Sequence, residues 1–574
     1  MRLRPTARAA DRRAFLRTCF GLGGFALTAS MLSACGPQAP APAAAPAPSK
    51  PASAPAAAPA ATAAPAAPKP AAPKPAAAGT NAPAKPAAAA PATTAPAAST
   101  RKGGKLVIRI GDVQTPDPHR ETGSFHWPQA TAEGLTGIAG DGSLKPRLAE
   151  KWEITDGRVY TFQLRKGVKF HNGREMTAED VKANFERING LDRAWLKATT
   201  ATVEKYEVVD AHTVRITLKQ PYAPFLALIS EGWILAPESP GWDANITAPI
   251  GTGAFVWQEF VPKTQLTLKR HEQFWRAPAP SFDEVIGRFS EGDPVVALKT
   301  GDVHIASINR DQSSALEKES AVRVITNKAS TWWFLSFNNR KPRPPFDDVR
   351  VRRAIAHTLD KPRLAELQGG KTGVIANQMA LPGSFYYDAG LADAYAKPDV
   401  EAGKKLLAEA GVDPKSVKIV MPVNTDPRVP QAVAAMIEQL GFEIDLQVGD
   451  DLATETRLQK YDWDAYYASS GPRTDIALRY VRMMSDGPNP GLWGGVQDPE
   501  YDKYVKEAWA TIDDQGRRAA YLKAWGRVMD GLYTVVTAHS LSSYGVRNEV
   551  QNFELGAVPG VDLVDSGISY ASFS

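Results

Sequence analysis

Between residues 36 and 100 the chain places 17 prolines and 32 alanines in 65 positions, with no aromatic, Leu, Ile, Val or Met residue among them. Such a stretch has nothing to bury that would offset the entropy lost on ordering it. Proline every few residues also breaks the helix that so much alanine would otherwise favour. The segment reads as an extended, semi-rigid tether, advancing ~3.1 Å per residue where polyproline II forms. Its four lysines and lack of acids keep it solvated. It divides the 574 residues into a leader (1–35), a linker (36–102) and a body from residue 103 onward. Only the body is long enough to bury a sizeable core.

Charge follows the same division. Residues 1–102 carry twelve Lys or Arg and one acid, Asp11, for a net +11. The remaining 472 residues hold 55 basic and 61 acidic side chains, a net −6. A mildly acidic body lacks the basic face that nucleic acid binding requires, so no nucleic acid partner is expected. The two cysteines, Cys19 and Cys35, both lie in the leader. The body therefore has no disulfide framework, zinc ribbon or cysteine nucleophile. No stretch after residue 35 approaches the ~18 apolar residues of a membrane span.

The leader has the form of an export signal. Arg2, Arg4, Arg8, Arg12, Arg13 and Arg17 precede a short apolar run at residues 20–32. That run is too short for a transmembrane helix. Asp11-Arg12-Arg13-Ala14-Phe15-Leu16-Arg17 resembles the twin-arginine pattern of folded-state export, with an Arg-rich Sec signal as the alternative. Leu32-Ser33-Ala34-Cys35-Gly36 resembles a bacterial lipobox, which implies cleavage before Cys35 and a lipid on its sulfur. The expected product is an exported lipoprotein in the periplasm or on the outer face of the cytoplasmic membrane.

The body alternates strands and helices. Residues 105–110, 159–164, 213–218 and 265–269 show the period-two pattern of strands. Val181, Phe185 and Ile188 share one helical face, and Thr177 with Asp180 reads as a capping arrangement at its start. Residues 417–423, 431–440 and 442–448 read strand, helix, strand, with Gly411 and Gly441 at helix C-termini. This is an α/β pattern. Catalytic signals are sparse: eight scattered histidines, no H-E-x-x-H and no G-x-S-x-G. His171 reads as a hydrogen-bonded structural histidine. Pro249-Ile250-Gly251-Thr252-Gly253 lacks the Lys of a phosphate loop.

Three ordered sets of residues then carry a resemblance. They are Leu148-Ala149-Glu150-Lys151-Trp152-Glu153, the run from Tyr160-Thr161-Phe162 to His171-Asn172-Gly173, and Thr177-Ala178-Glu179-Asp180-Val181. The order continues through Pro221-Tyr222-Ala223-Pro224-Phe225, Ala297-Leu298-Lys299-Thr300-Gly301-Asp302 and Pro345-Phe346-Asp347-Asp348. Together they resemble the family 5 solute-binding proteins of ABC importers, the peptide- and nickel-binding type, over residues 103–550. The resemblance implies an α/β, two-lobe, periplasmic-binding-protein-like fold of class II. An extra subdomain belongs to the first lobe, and the ligand cleft lies between lobes. The expected divisions are lobe I at 103–330 with a subdomain at about 145–235, lobe II at 331–537, and a return to lobe I at 538–574.

The same resemblance implies a monomeric, non-catalytic receptor without cofactor or bound metal. It would capture an oligopeptide or peptide-like solute and deliver it to the membrane-bound ABC permease. A nickel or metal-chelate ligand is the alternative, and a secreted hydrolase or a purely structural lipoprotein the remote ones. Adjacent Trp332 and Trp333 on a strand face opposite ways, so one of the two is expected in the cleft. Trp127 and Trp493 are further candidates. In the stretch Asp464 to Asp475, either Pro472 or Asp475 occupies the position where peptide binders of the family hold an amino group. Arg473 is the candidate for pairing with a carboxylate or phosphate.

Overall fold

A computed structural model describes residues 102–574, apart from 112, 121–125, 290–291, 424–426, 489 and 557–561. The leader, its lipobox at Cys35 and the tether lie outside the described residues.

Two long antiparallel strands organise the body, Val322–Phe337 of 16 residues and Thr534–Arg547 of 14. At ~3.3 Å per residue the first spans about 50 Å, far beyond the usual strand of about six residues. Val322 opposes Arg547 at one end and Ser336 opposes Thr534 at the other. Between Thr326 and Ser330 the register shifts. There the buried Asn327 side chain accepts a hydrogen bond from the Ala329 amide at 2.8 Å, an Asx turn set into the strand. On one side of this break the sheet continues into Ile305–Ile308, Lys105–Ile110, Glu284–Phe289, Gln265–Arg270 and Phe255–Val261. On the other it continues into Ala465–Ser470 and Gly373–Ile375. One nine-stranded sheet thus runs through both lobes, and only the two long strands belong to each.

The first lobe carries a second, four-stranded antiparallel sheet: Ala149–Thr155, Val159–Leu164, Thr213–Leu218 and Val203–Asp210, in that order. Alternation puts Tyr160, Phe162 and Leu164 inside, against Val181, Phe185 and Ile188 of the helix Ala178–Gly190. Each of these large apolar side chains contributes about 1.5–3 kcal/mol on burial. The helix start is fixed by Asp180, whose carboxylate accepts from the Thr177 amide at 2.8 Å. The chain's end returns to the first lobe, where Val550, Phe553, Ile568 and Ala571 join Leu106 and Phe282 in one core.

In the second lobe, Lys418–Val423 and Glu443–Val448 pair in parallel across the helix Arg428–Glu438. Gly411 (φ +71°) and Gly441 (φ +100°) take the left-handed conformation that ends the preceding helices. The Pro249–Gly253 run is a packing element. A Cβ on Gly251 would lie 2.0 Å from the Thr131 carbonyl oxygen. His171 closes the same loop, its Nδ1 accepting from the Gly251 amide (3.2 Å) and its Nε2 facing the Gly253 carbonyl (3.1 Å). That neutral, doubly engaged ring is structural.

Candidate ligand cleft

A cavity of about 1030 Å³ lies between the lobes. The first lobe supplies Ile138, Leu144, Ile154, Tyr160 and Leu226 to its wall. The second supplies the loop 380–386, residues 472–476, Arg479, Ile512 and Arg517. Ser330 and Leu541 of the two long strands also line it. The lobes touch across this wall. The Ala223 amide donates to the Trp509 carbonyl at 2.7 Å, and the Tyr222 and Trp509 rings meet edge to face at 5.6 Å. The Thr474 hydroxyl donates to Glu231, whose other oxygen accepts from the Trp195 indole. Burial pushes the Glu231 carboxyl above its usual range despite those two donors and the nearby Arg473.

Three guanidiniums crowd the second-lobe side. Arg473 lines the cavity, and its Nη1 donates to the Pro472 carbonyl at 3.3 Å. Its Nε is buried without a partner among the described residues, and a buried donor left so costs about 1–3 kcal/mol until something accepts from it. Burial lowers the Arg473 pKa, against the pull of Glu231. Arg479 is 6% exposed and donates to two backbone oxygens, Met379 and, at 2.7 Å, Ser330. Burial pushes its pKa down to about 9, and Arg473 and Arg482 add to the shift. Arg482 lies over the Trp493 ring at 4.9 Å, and burial together with Arg473 pushes it down to about 10.

Asp475 is the one buried carboxylate among the described residues that line the cavity itself, and both its oxygens are engaged. Oδ1 accepts from the Ala477 amide at 2.8 Å, the first turn of a short helix. Oδ2 pairs with Arg517 at 3.4 Å. Arg517 in turn stacks on Tyr386 at 5.4 Å and reaches the exposed Asp514 at 3.4 Å. Asp475 therefore does structural work at the wall of the cavity.

Of the residues singled out from sequence, Pro472, Arg473 and Asp475 come together here. The four tryptophans do not join them. Trp127, a candidate for the cleft, is 2% exposed and packs on Trp257 at 4.9 Å in the first-lobe core, so it is a core residue. Trp332 and Trp333 do face opposite ways. Trp332 is fully buried and stacks on Phe334 at 4.2 Å. Trp333 stacks on Tyr467, donates to the Ser540 hydroxyl at 2.9 Å, and lines a second cavity of about 440 Å³ whose wall also includes Asn309, Arg310 and Asp311 of the first lobe. Trp493 borders that smaller cavity too. Arg479, Arg517 and Glu231 were missed. The one available signal was the spacing of Arg473, Arg479 and Arg482 within ten residues of a stretch otherwise rich in apolar groups. Among the described residues no group of three or more His, Cys, Asp or Glu gathers to hold a metal ion.

Comparison with known proteins identifies the fold and the family. Residues 143–491, more than half of the chain, match the family described as "Bacterial extracellular solute-binding proteins, family 5 Middle". Di/tripeptide-binding protein 2 of Pseudomonas aeruginosa is 26% identical over 495 residues, which is 78% of this chain and 91% of that protein. NikA from Brucella suis, solved in complex with Fe(III)-EDTA, superposes with a TM-score of 0.72 at 21% identity, covering 82% of this chain and 100% of that one. DppA from Helicobacter pylori, solved with the peptide STSA, gives a TM-score of 0.66 at 21% identity over 82% of this chain and 98% of that one. The fold is the two-lobe α/β fold of family 5 periplasmic binding proteins, and the chain belongs to the bacterial extracellular solute-binding proteins, family 5.

Proposed function

We propose that this protein is the lipid-anchored receptor of an ABC import system, capturing an oligopeptide or peptide-like solute and handing it to the permease. The observation that carries the reading is the interlobe cavity with Arg473 on its wall, a guanidinium that among the described residues donates to one backbone carbonyl. Its free donors suit a ligand carboxylate taken in two-pronged fashion. The volume lies at the upper end of that of usual small-molecule pockets, ~300–1,000 Å³, which suits a short peptide. Family membership and the di/tripeptide-binding relative support the same substrate class. The lobes, divided at about residues 331 and 538, close on the solute by bending where the two long strands cross between them. Export and anchoring follow from the leader, with the lipid on Cys35 and the tether giving the body reach.

The test is mass spectrometry of small molecules released by denaturing the natively purified chain, followed by calorimetry with the compound identified. A released peptide or peptide-like solute that rebinds supports the reading. A protein that releases nothing and binds no peptide in a broad panel overturns it. For the anchor, Cys35→Ala is expected to move the protein out of the membrane fraction. A processed variant still in that fraction after a high-salt wash refutes lipidation.

A further inference from the structure

The inner charges of the cleft are unevenly matched. Three guanidiniums, Arg473, Arg479 and Arg517, line the cavity beside one buried carboxylate, Asp475. That carboxylate is already occupied, by the Ala477 amide and by Arg517. The other two acids on the wall, Asp141 and Asp514, are exposed at its rim. Asp141 is turned onto Ser143, taking its amide at 2.8 Å and its hydroxyl at 2.5 Å. Asp514 leans on Arg517. Glu231, the carboxylate nearest in kind to a counter-charge for Arg473, has both oxygens covered by Thr474 and Trp195. Arg479 gives two of its five N–H groups to backbone carbonyls, which leave its charge uncancelled.

We infer that the cleft selects carboxylate-bearing solutes with no free ammonium group, such as N-acylated or otherwise amine-blocked acids, over free zwitterionic peptides. The inference rests on the receptor reading and narrows its substrate class. A ligand carboxylate meets Arg473, whose charge no carboxylate pairs directly and whose Nε no described group accepts from. A ligand ammonium meets no uncommitted carboxylate and two guanidiniums of its own sign. Much of the remaining wall is apolar, with Ser330, Ser384 and Thr474 interspersed. Leu144 and Leu226 on one side face Phe385 and Ile512 on the other, and these last two are 47% and 38% exposed, unusual for side chains of their size. A compound with one acidic end and an uncharged, apolar body fits this distribution.

Three probes separate the terms: leucyl-leucine, N-acetyl-leucyl-leucine and N-acetyl-leucyl-leucinamide, titrated calorimetrically into the full chain. N-acetyl-leucyl-leucine is expected to bind at least roughly tenfold more tightly than leucyl-leucine, and the amide to show no measurable binding. Leucyl-leucine binding as tightly as its acetylated form overturns the inference. So does binding of the amide, and so does failure of all three. The receptor reading is decided separately, by whether natively purified protein releases a solute. A released solute that reacts with an amine-directed reagent and rebinds would leave the receptor standing while refuting its preference for amine-free acids.

Discussion

The hydroxyl of Thr474 donates to the carboxylate of Glu231, so a second-lobe residue two positions from Pro472 is tied to the first lobe at the rim of the cavity. The bond exists only when the lobes are together, which gives closure a pH term. Burial raises the Glu231 pKa above the usual carboxylate value of 4.5. Opening the lobes exposes the group and returns that pKa toward its ordinary value. The closed form therefore holds a proton that the open form releases. Closure is favoured as pH falls through the raised pKa toward 4.5 and is opposed above it. Small-angle scattering of the empty protein is expected to show a smaller radius at the acidic end of that window, and Glu231→Gln to flatten the trend. Thr474→Val removes the donor and is expected to expand the empty protein at every pH. A radius identical to that of the parent would show that this bond does not hold the lobes.

Global stability runs the other way with acid. Burial pushes His171 and His539 down to about 3 and His119 to about 4, from 6.5. A base depressed in the folded state binds its proton mainly after unfolding, so stability present above 6.5 is lost as pH falls below it. At about pH 5 each of these histidines removes roughly 2 kcal/mol. His271, His304 and His357 are lowered by burial as well, so the melting temperature is expected to fall steeply between about pH 7 and about pH 5, and His171→Gln to make that fall shallower. Parallel melting curves for parent and variant would rule His171 out as a source.

Two glycines make a matched pair. A Cβ at Gly251 would sit 2.0 Å from the Thr131 oxygen, which is fixed backbone, whereas one at Gly526 meets nothing within 4 Å. Gly526 lies inside the helix Asp514–Gly531, where glycine loses more entropy than alanine. Gly526→Ala is expected to stabilise by about 0.5–1 kcal/mol. Gly251→Ala is expected to destabilise by about 3 kcal/mol or more, through overpacking against a carbonyl that cannot move aside. Chemical denaturation of both variants checks the sign of each.

The strands at Val159–Leu164 and Thr213–Leu218 were legible because one face is buried and the other is not, which writes the pleat directly into the residue order. Part of the crossing strand was legible for a different reason, the density of Trp, Phe and Thr at residues 331–337. Its first half was not. Arg323, Asn327 and Lys328 break the pattern, and the strand survives there because Thr534–Arg547 pairs with it along nearly its whole length. Adjacent Trp332 and Trp333 had to diverge, but nothing in the order of residues says which side carries the core. Arg479 was invisible as a wall residue. Its acceptors, the carbonyls of Ser330 and Met379, lie about 150 and 100 positions earlier and come near only in the fold. The ion pair of Asp475 was invisible for the same reason, since Arg517 arrives from a distant helix.

Arg473 and Arg479 share a wall of the cavity, and their replacement is expected to separate binding from stability. Arg479 ties two backbone carbonyls from distant segments, Ser330 of the long crossing strand and Met379 of the second lobe. Arg479→Ala leaves both buried oxygens unmet, at about 1–3 kcal/mol each, less what is regained by removing a desolvated charge. The melting temperature of the empty protein is therefore expected to drop. Arg473 holds one carbonyl of its own neighbour and faces repulsion from Arg479 and Arg482. Arg473→Ala is expected to leave that melting temperature unchanged or slightly higher. Its effect belongs to the ligand. Truncating one partner of a buried charge pair typically costs about 2–5 kcal/mol of affinity. Arg473→Lys is expected to recover only part of it, because an ammonium offers a point charge where the guanidinium offers a planar two-pronged edge. Calorimetry with N-acetyl-leucyl-leucine, alongside melting curves of both alanine variants, measures the two effects independently. An unchanged Kd in Arg473→Ala removes this residue as the carboxylate anchor. A Kd weakened equally in both variants, with melting temperature lowered in both, would mean that the wall responds as one structural unit and that neither arginine is dedicated to the ligand.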